Sequence, residues 1–260
     1  MSGTNHPLAG ILAVAGFQLR RMLTARRLLL GLVGAVFPAA VTLAVRRIES
    51  GFNRDFLVVL VYALIPETIC MLGLLVTMCP AVADELERGT WAHIAVRPGG
   101  RRALLVGTFL AAVAWTSGVA IVSVVLTLAA AGVDGLVGLT AMFAALVVLS
   151  CIGRAALFSL PAVIAPKRAL VASVGAAIVV EYLAGFLPAV VNQATVSLRL
   201  RSLLVHWMGW RRSLPVEIRM IVDTAPAWVQ VAAVVVSAVV LLTVAVVILE
   251  RRQFPPTGET

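Results

Sequence analysis

The sequence predicts an all-α, polytopic integral membrane protein with six transmembrane helices, an N-terminal interfacial helix and a short helix in a polar loop. Three observations carry this. Of the 260 residues, 61% are hydrophobic and 13% charged, where a soluble domain carries roughly 25% charged residues. The mean hydropathy is +1.04. Six apolar runs approach or exceed the ~20 residues that a spanning helix needs, and no polar stretch is long enough for a soluble domain. Lipid admits only helices or closed barrels, and these runs are too long and too continuously apolar for barrel strands.

Residues 1–27 form the first unit. Leu8, Ile11, Leu12, Ala15, Leu19, Met22 and Leu23 recur at helical spacing, while Gln18, Arg20, Arg21, Thr24 and Arg27 face elsewhere. This predicts an amphipathic helix in the membrane interface. No short apolar core with a small-residue cleavage site follows, so the first apolar run is expected to stay as a span. Residues 28–260 form the spanning unit, with spans at about 28–45, 56–82, 103–131, 138–165, 169–191 and 227–249. Prolines at Pro38, Pro66, Pro80, Pro161 and Pro188 mark expected bends. The segment 193–226 is expected to hold short helices at the outer interface. Leu200, Leu203, Leu204 and Trp207 share one face there, and Trp207, Trp210 and Trp228 serve as aromatic anchors.

Lys and Arg set the orientation. With both termini cytoplasmic, twelve basic residues fall in inner segments and eight in outer ones. This predicts a multi-pass protein of the cell's inner (cytoplasmic) membrane, embedded in lipid. The net charge of +9 sits mostly beside apolar runs, which favours membrane anchoring and argues against nucleic acid as a partner. Cys70, Cys79 and Cys151 lie inside apolar runs without metal-ligand spacing.

The polar island 83–102 stands out between two apolar runs. Gly89 permits a change of direction. Thr90 is expected to cap a short helix, on which Trp91, Ile94 and Ala95 share one face. Pro98 disfavours helix at Arg97, and Gly99-Gly100 completes the break. Glu85 and Glu87 are placed to pair with Arg88, Arg101 or Arg102.

The stretch Glu85-Leu86-Glu87-Arg88-Gly89-Thr90, then Pro98, then Arg101 leading into the third span, resembles the permeases of ATP-binding-cassette (ABC) type 2 exporters. The Arg-rich segment Phe17 to Arg27 before the first span resembles them too. The resemblance covers the whole chain in architecture and is sequence-specific over about 83–110. Many relatives carry a lysine shortly after the glycine at the start of the third span, whereas here Thr108 follows Gly107. The resemblance implies that 83–102 is a cytoplasmic coupling loop. Glu85, Glu87, Arg88, Gly89, Thr90, Trp91, Ile94 and Pro98 would then engage a separate cytosolic ABC ATPase. It further implies a dimer with a second copy or a similar permease, and transport driven from outside the chain. ATP and Mg would belong to the ATPase, because Lys167, the sole lysine, sits in Ala-Pro-Lys-Arg and not in a phosphate loop. The same architecture also suits an ATPase-linked assembly that transmits force to a partner without transport.

Glu67, Arg154 and Glu181 lie inside apolar runs. Intramembrane charges are costly and are usually paired or cavity-facing. At 1.5 Å per residue, Arg154 and Glu181 lie about 16–18 Å from the inner boundary on consecutive spans. An ion pair between them is the expectation, with a substrate-contacting polar lining as the alternative. Glu67 follows Pro66 near mid-span, either lining a pathway or hydrogen-bonded at a packing contact. An intramembrane enzyme is disfavoured. The apolar runs contain no His and no Asp, so neither a nucleophile–base pair nor a metal set can be assembled, and no catalytic, cofactor or metal residue is expected on this chain.

Overall fold

The computed structural model describes residues 7–48, 53–133, 135–182, 195–210 and 225–252. All regular structure among them is helical. The predicted positions 183–191 of the fifth span and 193–194 and 211–224 of the outer segment lie outside the described residues.

Helix α1 (Pro7–Met22) carries the predicted amphipathic pattern and packs against α7 (Gly100–Ala131). The approach is close because Gly107 lacks a side chain: a Cβ there would sit 2.7 Å from Val14 Cγ1. The packed face matches the expected one in part. Met22 is buried and Ile11, Ala15 and Leu19 are half-buried, but Gln18 is buried too, whereas Leu8, Leu12 and Leu23 are exposed. A helix held between protein and lipid has two apolar faces, and periodicity alone does not say which one meets the protein.

Helix α2 (Ala25–Ile48) follows after a two-residue break. It runs parallel to α7, with Gly31 beside Trp115 and Val119 and with Arg46 reaching Ala131. Pro38 lacks an N–H, so the Gly34 carbonyl loses its helical donor. The Ser123 hydroxyl of α7 donates to it instead, at 3.4 Å. Neighbouring helices satisfy such freed carbonyls in spans that tolerate proline.

The second span is one rod of changing pitch. It runs through α3 (Arg54–Tyr62), a π-helical segment (Ala63–Ile69), α4 (Cys70–Met78), a 3-10 turn and α5 (Ala83–Glu87). Helix α6 (Trp91–Val96) then leads to α7, and α8 (Leu136–Ile164) returns across the bundle. Helix α9 (Ala169–Ala177) continues into a second π-helical segment, Ile178–Tyr182. Helices α10 (Val196–Trp207) and α11 (Ala227–Arg251) complete the described fold.

Among the described residues, five helices are long and apolar enough to cross a bilayer: Ala25–Ile48, Arg54–Glu87, Gly100–Ala131, Leu136–Ile164 and Ala227–Arg251. This is the pattern of a multi-pass helical membrane protein. Arginines close the helix ends. Arg46 donates to Ala131 O at the end of α7 (2.8 Å). Arg101 donates to Glu250 O (2.9 Å) and Arg252 O (3.1 Å) at the end of α11. Arg252 donates to Val163 O (3.0 Å) and Ile164 O at the end of α8. Each satisfies orphan carbonyls at the negative pole of a helix. The start of α7 and the ends of α8 and α11 are thereby gathered at one end of the bundle, the foot end.

Candidate functional site

The island folds at the foot end as two short helices, α5 and α6, the second set between two glycine turns. Gly89 (φ 68°) and Gly99 (φ 70°) adopt left-handed conformations that other residues adopt only under strain. Arg97 is extended (φ −75°, ψ 132°), as a residue before proline must be.

Thr90 departs from the expectation. It is itself helical and makes no cap hydrogen bond. Its hydroxyl donates back to the Glu85 side chain and to Glu85 O (3.2 Å). The reason is that Glu85 is held in place as a charged acceptor. Arg21 of α1 forks across the island, with Nη1 on Glu85 Oε1 (2.9 Å) and Nη2 on Asp84 Oδ2 (2.6 Å). A guanidinium shared between two carboxylates forms strong, directional hydrogen bonds. The predicted partners of Glu85, namely Arg88, Arg101 and Arg102, are not the ones used. Arg101 caps α11, and its guanidinium lies 5.7 Å from the Trp91 ring centroid, a cation–π distance. Trp91 is buried, Ile94 and Ala95 are half-buried, and Glu87, Arg88, Gly89 and Pro98 are exposed. The exposed tip also carries Val96, at 83% exposure.

A second polar site lies in mid-bundle, where Glu67, Arg154 and Glu181 converge. Arg154 is 1% exposed, about 15 Å up α8 from Ile164 at 1.5 Å per residue. Its Nη2 bonds Glu67 Oε2 directly and lies 3.8 Å from Glu181 Oε2. The predicted Arg154–Glu181 pair is therefore present, but Glu67 is the nearer partner. Nη2 also donates to Ser197 Oγ (2.9 Å), and Nη1 donates to Ser150 Oγ (2.7 Å) and to Pro66 O.

Both carboxylates sit in π-helical segments, which are frequent at functional sites. In the second span, the Cys70 N–H bonds Ile65 O and not Pro66 O. The freed Pro66 carbonyl turns outward and accepts from Ser150 Oγ (2.7 Å) and Arg154. Glu67 also accepts from the Tyr62 hydroxyl (2.7 Å) and from Ser197 Oγ (3.0 Å).

Glu181 lies against the N-terminus of α10. The Val196 and Ser197 N–H groups donate to its two oxygens at 3.3 and 2.9 Å, and Ser197 Oγ bonds Oε2. Unpaired first-turn N–H groups and the helix dipole both favour an anion there. Thr195 caps the same helix by accepting from Leu198 N (3.2 Å). Helix α10 therefore starts at the depth of Arg154 and climbs away from the foot end, until Trp210 Nε1 donates to Asp55 Oδ1 (3.1 Å) at the start of α3. The sequence laid this helix along the outer interface. The structure instead stands it on a buried charge cluster.

Tyr62, Ser150, Ser197 and Asp84 escaped the sequence reading. A serine or tyrosine inside an apolar run carries no signal of its own, and only Pro66 beside Glu67 hinted at a rearranged backbone. Among the described residues, no group of His, Cys, Asp and Glu is arranged to hold a metal. No family model matches the chain, and no curated protein or solved structure matches it either.

Proposed function

We propose that this chain is the membrane-spanning permease subunit of an ABC exporter, driven by a separate cytosolic ATPase that grips the 83–102 foot. The observation that carries this reading is the Arg21 fork onto Asp84 and Glu85. It makes the island a rigid appendage of the interfacial helix. A push on the tip has two routes into the bundle, through α1 packed on Gly107 and through Trp91 and Arg101 at the root of α7.

A loop that merely joined two spans would need neither the fork nor the two glycine turns. The exposed tip, with Val96 among Glu87, Arg88 and Arg97, offers an apolar anchor inside a charged rim, the composition of a docking contact. On this reading Ala169–Tyr182 belongs to a fifth span, which makes six. Both termini are cytoplasmic, and a second copy or a similar permease completes the transport path. Nucleotide and Mg are held by the ATPase.

A photo-crosslinker at Val96, installed in native membranes, tests this. The expected adduct is a cytosolic protein with a Gly-Lys-Ser/Thr phosphate loop. Labelling of position 96 from outside the cell, or adducts that never include such a protein, would overturn the proposal.

A further inference from the structure

An apolar cleft of about 300 Å³ runs between α2, α4 and α7. Its floor is made by Gly31, Gly73 and Thr116, and its open side by Val33, Leu72 and Val76. The cleft begins at Arg27 and ends at Phe37 and Thr68. Ten residues of α2 separate Arg27 from Phe37, a rise of about 15 Å. That is half of the ~30 Å hydrocarbon core. Thr68 is adjacent to Glu67, whose partner Arg154 lies at mid-bundle depth, so the deep end of the cleft lies near the bilayer centre.

Two polar groups in the cleft have no partner among the described residues. Arg27 is half-buried at the mouth and makes no ion pair or hydrogen bond. Thr116 is 2% exposed, and its hydroxyl is unsatisfied. A buried hydroxyl without a partner is unusual in a folded protein. Gly31 faces Trp115, the neighbour of Thr116, and lies one turn beyond Arg27 on α2, so the two polar groups are about 6 Å apart along the axis.

We infer that this cleft is a binding site for one acyl chain of an anionic membrane phospholipid, drawn from the leaflet on the foot side. The phosphate sits at Arg27. Thr116, one turn deeper, forms part of the floor, and the chain fills the cleft to the bilayer centre. The dimensions suit this occupant, since the cleft holds a single chain one leaflet long. The open side is flanked by the exposed apolar residues Leu30, Val33 and Phe37, past which acyl chains enter laterally. An apolar helix of a second copy would leave the Arg27 charge unanswered. The site does not depend on the proposed motor.

The full chain is reconstituted in nanodiscs with phosphatidylglycerol or phosphatidylcholine carrying the same photoreactive acyl chain. Labelled peptides from α2, α4 and α7 are quantified. The phosphatidylglycerol probe is expected to label them about fivefold more, the preference that one arginine at the surface confers for anionic lipid. Arg27→Gln abolishes the preference. Leu72→Trp, a change at an exposed wall position, removes cleft labelling by both probes while the melting temperature is unchanged. Equal labelling by the two probes, labelling that survives Leu72→Trp, or crosslinks through the cleft to a second copy would each overturn the inference.

Discussion

Replacing Arg154 with methionine keeps the apolar stem of the side chain but removes the only guanidinium in direct contact with Glu67 and Glu181 among the described residues. At 3.8 Å and an effective dielectric of 20, the lost Arg154–Glu181 attraction alone is about 4 kcal/mol. Removing one partner of a buried pair costs about 3–5 kcal/mol. Melting in detergent is the assay, followed by size-exclusion after heating. The variant is expected to be strongly destabilised. The double change Arg154→Met/Glu181→Gln restores only part of the loss, because Glu67 stays charged. The triple change with Glu67→Gln restores more. If Arg154→Met melts within about 1 kcal/mol of wild type, the cluster does not hold the bundle together.

Two further changes probe the same fold. Ser197→Ala removes the hydroxyl shared by Arg154, Glu67 and Glu181. It is expected to cost about 0.6 kcal/mol, at most about 1.7, the range for interhelical hydrogen bonds in membranes. A larger loss in thermal melting would mean that α10 itself detaches. Arg21→Glu sets three carboxylates together and is expected to lower stability by about 1.5–3 kcal/mol, the worth of a charged hydrogen bond. Pairing it with Asp84→Arg and Glu85→Arg should recover most of that. Absence of recovery in the triple variant, measured by thermal melting, would show that the fork is incidental.

The long apolar runs made the helical, membrane-spanning class legible, because hydropathy and helix length are properties of consecutive residues. The glycine turns and Pro98 marked the island for the same reason. Depth was legible too, since 1.5 Å per residue placed Arg154 and Glu181 at one level. Azimuth was not. A π-helical segment carries one residue more per turn of bonding than an α-helix, which turns everything beyond it by about 100°. No local pattern at Ala63–Ile69 or Ile178–Tyr182 declares that extra residue. Glu67 thus became the first partner of Arg154, and Pro66 acquired a free carbonyl to offer it.

The faces of α1, the partner of Glu85 and the foothold of α10 share that character. Arg21 and Asp84 are 63 positions apart in the chain, and Ser197 and Glu67 are 130 apart. Sequence order therefore told which segments enter lipid and where polar chemistry interrupts them. Which carboxylate meets which arginine was settled only when the helices packed, because pairing depends on rotation about each helix axis, and that rotation is chosen by the contacts of the whole bundle.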